Sequence, residues 1–196
     1  MAYHHGDLAT ALVEAALELS RDGGPAAVTI RAATRHVGVS PNAAYRHFPN
    51  RAALLDATAA AIQQGLTAAM TDEPDATPAE RLHRIGNAYV AFALDEPGWF
   101  GVLFFGIRPP DPARVGAAPA FLALTAALDD LVAAGELPAG SRDDAAWACW
   151  ATVHGFAELC LRGPLAGLDR AEQRRRADVA VRAVVAGIAS PGGSAS

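Results

Sequence analysis

The chain has no lysine, two cysteines and no long uninterrupted apolar run. Cys149 and Cys160 are too few for a disulfide framework, and 196 residues bury a core without one. Both thiols read as small buried hydrophobes in a reducing compartment. No window approaches the roughly 18 consecutive apolar residues of a membrane span, and Met1 to Asp7 does not open a signal peptide, so the expectation is a cytoplasmic protein with no membrane partner. Alternating β-branched runs are missing too, which excludes a sheet. A phosphate-cradling glycine loop, a nucleophile elbow, a Cys-x-x-Cys and a His-Glu-x-x-His are all lacking, so an enzyme, a cofactor and a metal centre are not expected.

The basic residues that exist are sixteen arginines, and their placement matters more than the net charge of −5. Between Gly23 and Leu55 stand Arg31, Arg35, Arg46 and Arg51 with no Asp or Glu, a stretch of +4 that leaves −9 to the rest. A basic island on an acidic body directs one face alone toward phosphates.

Alanine-rich segments with helical apolar spacing fill the chain, and the expected fold class is all-α. Leu8, Leu12, Ala15, Ala16 and Leu19 share one face of a first helix that Gly23-Gly24-Pro25 stops. Thr29 is a cap for a short helix through His36, ended by Gly38. Ser40-Pro41 opens another, which Pro49-Asn50 breaks. A helix then runs from Arg51 to about Met70, and the polar, proline-rich Thr71 to Pro78 marks a boundary. Beyond it the pattern predicts helices at Ala79 to Leu94, Trp99 to Ile107, Pro119 to Ala134, Arg142 to Leu161 and Asp169 to Ile188. The division expected is 1–51 as a three-helix helix-turn-helix domain, 52–71 as a connecting helix, 72–190 as a larger helical domain, to which the features described below assign effector binding and dimerisation, and 191–196 as a disordered tail.

A helix in the major groove points its early residues at base edges. Here those are Pro41, Asn42 and Ala43, followed by Tyr45, Arg46 and His47. Asn42 is able to hydrogen-bond a base edge, Ala43 to touch a thymine methyl, and Tyr45 and His47 to reach phosphates. The plain alternative, on spacing alone, is a helical hairpin with solvated arginines. The segment Val39-Ser40-Pro41-Asn42-Ala43-Ala44-Tyr45-Arg46-His47-Phe48-Pro49-Asn50-Arg51 closely resembles the recognition helix and following turn of the tetracycline-repressor (TetR) family. Tyr3-His4-His5-Gly6-Asp7-Leu8 resembles the opening of one subgroup, whose Trp-x-x-x-His-Gly signature is matched by Trp150-Ala151-Thr152-Val153-His154-Gly155.

The resemblance implies that Arg31, Pro41, Asn42, Ala43, Tyr45 and His47 face DNA, with Thr29 and Arg51 holding phosphates at helix N-termini; Ser40 and Arg46, beside them in sequence, complete the expected DNA-binding set. Arg51 replaces the usual lysine, which changes donor geometry. Thr34, Ala33 and Ala44 depart from the usual residue sizes and thin the packing, and Ala9 replaces a frequent arginine. It further implies a homodimer through the last two helices on palindromic operator DNA, with recognition helices roughly 34–36 Å apart or somewhat more. The stripe Ala177, Ala180, Val181, Val184, Val185 and Ile188 needs a cover that is either intrachain or a second copy.

Ten of the thirteen aromatics lie between Tyr89 and Phe156. Core packing accounts for any one of them. As a set, Tyr89, Phe92, Trp99, Phe100, Phe104, Phe105, Phe121, Trp147 and Trp150, with His154, suggest a pocket for a small apolar or aromatic effector. His154 and Glu158 share a helix face, but two ligands do not make a metal site. The function expected is a ligand-responsive transcriptional regulator, by default a repressor. Its rival is a helical interaction module that no longer binds DNA.

Overall fold

The structure, a computed structural model, describes residues 8–70, 76–105 and 115–189, and all of its regular structure there is helical. The expectations for Tyr3 to Asp7, for residues 71–75 of the linker, for the last two residues of the Trp99 to Ile107 helix and for the tail from 190 onward lie outside the described residues. The helices are α1 (Leu8–Ala27), α2 (Ile30–Val37), α3 (Pro41–Tyr45), α4 (Arg51–Ala69), α5 (Pro78–Asp95), α6 (Pro97–Phe105), α7 (Pro119–Ala133), α8 (Arg142–Leu161) and α9 (Arg170–Ile188). No described helix is long and apolar enough to cross a membrane.

Contacts divide the chain into two compact units, residues 1–65 with 96–110, and residues 66–95 with 111–196. In the first unit the apolar face of α1, with Leu8, Leu12, Ala15 and Ala16 buried, packs on α2, α3 and α6. Gly24, at φ 58° and ψ −161°, breaks α1 before a last turn led by Pro25, which is the stop that Gly23-Gly24-Pro25 announces. Thr29 caps α2, its Oγ1 accepting from the Ala32 N–H at 3.0 Å. Gly38 closes α2 in the left-handed region at φ 81°, its N–H donating to the Thr34 carbonyl. Ser40 precedes α3 without a side-chain cap, and Asn50 Oδ1 accepts from Ala53 N–H at the start of α4.

The helix α6, which the sequence pattern assigns to the sensing half, packs on α1 instead. Gly98 makes the approach possible, since a Cβ there would lie 2.1 Å from the Ser20 carbonyl oxygen and 2.2 Å from that of Arg21. The Trp99 indole N–H donates to the Leu17 carbonyl at 2.8 Å, and the Arg21 guanidinium both pairs with Glu96 and lies 5.0 Å over the Trp99 ring.

In the second unit α5 packs on α7, α8 and α9, and α8 packs on α7 and α9. Thr77 and Glu80 form a reciprocal capping box at the start of α5. Its core joins Leu82, Ile85 and Val90 of α5, Leu124 and Leu128 of α7, Val153 and Ala157 of α8, and Val181 and Val185 of α9. Gln173, fully buried, donates to the Leu165 carbonyl at 2.9 Å and to that of Cys160, fastening the α8–α9 turn.

Candidate functional site

In the first unit, the residues assigned to DNA lie on one helix-turn-helix. Arg31, Ser40, Pro41, Asn42, Arg46 and His47 are exposed, Tyr45 is 50% exposed and Ala43 is half-buried. Beneath them Ala33 and Ala44 are fully buried, so the small side chains at these two positions are used for close packing of α2 on α3. Thr34 is buried as well, but its hydroxyl donates to the Ile30 carbonyl at 2.9 Å and leaves no orphaned polar group.

Two residues of the set have other employment. The Thr29 hydroxyl is the α2 cap. Arg51 donates from Nε to the Val28 carbonyl at 2.6 Å and from a terminal nitrogen to the Pro25 carbonyl. This ties the start of α4 to the turn between α1 and α2.

The aromatic set is divided. Trp99, Phe100, Phe104 and Phe105 belong to α6 in the first unit, where Phe100 is buried 4.7 Å from the Phe104 ring centroid. Tyr89, Phe92, Phe121, Trp147, Trp150 and His154 belong to the second unit. There the Trp150 ring has Tyr89 at 5.2 Å and Phe121 at 5.4 Å, both edge-on, and His154 stacked at 5.9 Å and 10°. Phe121 also meets Trp147, which is 46% exposed, and Phe92 is half-buried on α5. The Tyr89 hydroxyl and His154 Nδ1 are 3.0 Å apart. Burial lowers the proton affinity of His154, with Glu158 opposing, and burial pushes the Tyr89 hydroxyl well up. Both shifts favour the uncharged forms, and the two side chains share one hydrogen bond.

Beside this ring cluster lies a small chamber of about 20 Å³, walled by Met70, Leu82, Ile85, Gly86, Tyr89, Ala120, Leu124, Cys149, Trp150, Val153, Val181, Val184 and Val185. Only Tyr89 and Trp150 of the sequence-assigned set reach it. The aliphatic walls were not legible as a chamber because leucines and valines at helical spacing read first as core. The Cys149 thiol at the wall is pushed up by burial to about 11, and burial raises Cys160 too, so neither has thiolate character.

A third surface runs along α8 and α9. Ala148, Ala151, Leu159, Val179, Ala183, Ala186 and Gly187 are all exposed there. Arg174 pairs with Asp95 at 2.7 Å, while Arg175 and Arg176 pair with Glu172 and hold its carboxyl down at about 2. The arginine run at the head of α9 is thus neutralised locally rather than displayed as a basic patch.

Comparison with known proteins accounts for this arrangement. Residues 12–58 match the model of the bacterial regulatory proteins of the tetR family, and residues 82–184 match the tetracyclin repressor-like C-terminal domain. The chain belongs to the tetR family of bacterial transcriptional regulators, which are not enzymes. A solved Rhodococcus sp. RHA1 protein of unknown function is 28% identical, with a TM-score of 0.79 over 97% of this chain and 100% of that one. A TetR transcriptional regulator of Streptomyces coelicolor, 19% identical, has a TM-score of 0.72 over 91% of this chain and 96% of that one. A TetR variant from Acinetobacter baumannii AYE in complex with minocycline, 22% identical, has a TM-score of 0.66 over 90% and 93%. The last two likenesses are of fold. No curated protein matches the chain.

Proposed function

We propose that the chain is a homodimeric, cytoplasmic repressor that grips palindromic operator DNA through α2 and α3 and is released by a small apolar or aromatic effector taken up among the helices of its second unit. The observation that carries the reading is the exposed set Arg31, Asn42, Tyr45, Arg46 and His47 on a helix-turn-helix whose surrounding stretch has no acidic residue. Anionic phosphates and base edges are what such a surface suits.

The dimer is supported by the outer face of α8 and α9. Gly155 sits within α8 although a Cβ there would meet nothing within 4 Å. A glycine inside a helix costs roughly 1 kcal/mol relative to alanine, and nothing described in the protomer requires it. With exposed Ala151 and Leu159 on the same helix, it suits close approach by a second copy. The signature Trp150, His154 and Gly155 then has two parts, a ring clamp onto Tyr89 and a small residue on the outer face. This supports placing the chain in the subgroup that carries it.

Effector uptake acts by differential affinity for two conformations. The helix α6 is the lever, since it follows α5 after Glu96 alone and is fastened to α1 by Gly98, Trp99 and the Arg21–Glu96 pair. Fluorescence anisotropy with the DNA upstream of the protein's own gene tests the reading. Tight binding that scrambled DNA does not match, and that weakens steeply with salt, is expected. Equal binding to both DNAs contradicts it.

A further inference from the structure

We infer that the effector is an aliphatic chain whose polar group, where it has one, is confined to one end, held in the chamber between α5, α7, α8 and α9 by hydrocarbon contact alone. This rests on the regulatory reading above and names the ligand class of that site. The chamber wall contains no charged, amide or aliphatic hydroxyl side chain. Its single oxygen-bearing side chain is Tyr89, whose hydroxyl is already bonded to His154. A ligand that brought a polar group inside would surrender its water to a wall that, apart from Tyr89, offers only the weak Cys149 thiol and the Trp150 indole as polar chemistry. A polyhydroxylated molecule is a poor match for such a wall.

An aromatic ligand is a poor match too. Trp150 and Tyr89 are the wall's two rings, and they are occupied with each other and with neighbours. His154 is stacked parallel to Trp150, while Tyr89 and Phe121 meet it edge-on. The remaining wall is leucine, isoleucine, valine and methionine with Gly86, Ala120 and Cys149, and among these the flexible Met70 side chain adapts most readily to a chain by rotamer changes.

The chamber's 20 Å³ is about the room of one water-sized sphere, so an occupant of several carbons parts the walls as it enters. The tight point is Gly86 against α9, where a Cβ would lie 2.8 Å from Val181 Cγ1. Separation of α5 from α9 there delivers occupancy to the end of α5, from which the chain leads directly into α6. His154 is a positioning residue in this scheme, since it engages the Tyr89 hydroxyl and does not line the chamber.

Calorimetric titration of the full-length protein with 1-hexanol, 1-octanol and 1-decanol tests this, with naphthalene and 1,10-decanediol as comparators. Saturable binding is expected, tightening about fourfold for each added methylene. Naphthalene is expected to bind at least tenfold more weakly than 1-octanol. The diol, which buries a second hydroxyl, is expected to bind at least tenfold more weakly than 1-decanol. Gly86→Ala should weaken 1-decanol at least tenfold, and Val181→Ala, which widens the chamber, should tighten it severalfold.

Naphthalene or the diol binding as tightly as the matching alcohol overturns the inference. So do alcohols that never saturate, or two variants that bind as the parent does. Operator binding measured on the same samples without additive keeps the two readings apart. Intact operator binding with no alcohol binding sinks the ligand class and leaves the regulator standing, whereas saturable alcohol binding without operator binding does the reverse.

Discussion

Arg51 spends its guanidinium on the carbonyls of Val28 and Pro25, so this residue, proposed to hold a phosphate, also ties the fold together. Hydrogen bonds from a charged donor are worth roughly 1.5–3 kcal/mol each at best, and less where the side chain is partly solvated. Arg51→Met should lower the unfolding free energy by about 1–3 kcal/mol in urea titration, whereas a residue waiting only for phosphate would leave the midpoint unchanged. The sequence made Arg51 legible as a cation at a helix start. It did not show these partners, because they are 23 and 26 residues earlier and are backbone atoms, which carry no residue signature.

His154 gives a pH dependence with a defined sign. Its folded-state proton affinity lies below the ordinary value of 6.5, chiefly because burial disfavours the imidazolium. Below pH 6.5 the unfolded chain therefore takes up the proton more readily than the folded one. The stability tied to this group is whole above that pH and is lost as pH falls further. Thermal unfolding at pH 7.5 and 5.5 should show a larger drop for the parent than for His154→Gln. Equal drops would show that the imidazole is not held neutral.

At the scale of elements, most helices were legible from punctuation. Thr29, Gly38, Pro41, Pro119 and Asp169 stand at element ends because caps and prolines act locally, through the first or last turn. The placement of α6 was not legible. Its sequence PGWFGVLFF is apolar all round and has no polar face to orient it. What directs it onto α1 is a missing Cβ at Gly98 and an ion pair between Arg21 and Glu96, residues 75 apart. Gly98→Ala pushes a Cβ against the backbone carbonyls of Ser20 and Arg21, where no flexible side chain is able to yield. Overpacking of this kind costs about 1–3 kcal/mol. A lowered urea midpoint and a red-shifted Trp99 emission are expected, and an unshifted spectrum with an unchanged midpoint would remove α6 from the role of lever.

For the whole molecule, charge and exposure point to two different surfaces. The basic island of 23–55 folds into the unit that carries the helix-turn-helix, and the outer face of α8 and α9 lies in the other unit with its arginines paired off. The basic island was legible from charge placement alone. The aliphatic chamber was not, since its walls share their chemistry with any core, and only three-dimensional closure separates a lining valine from a packed one.

The separation of surfaces is what the central claim predicts, and the Tyr45→Ala, His47→Ala double variant tests it most directly. Anisotropy on operator DNA and sedimentation are measured on the same sample. The account predicts that operator affinity falls at least tenfold while the dimer persists, since both side chains are exposed and neither lies on α8 or α9. A variant that binds operator as the parent does would contradict it and leave an interaction module in place of a DNA-binding regulator.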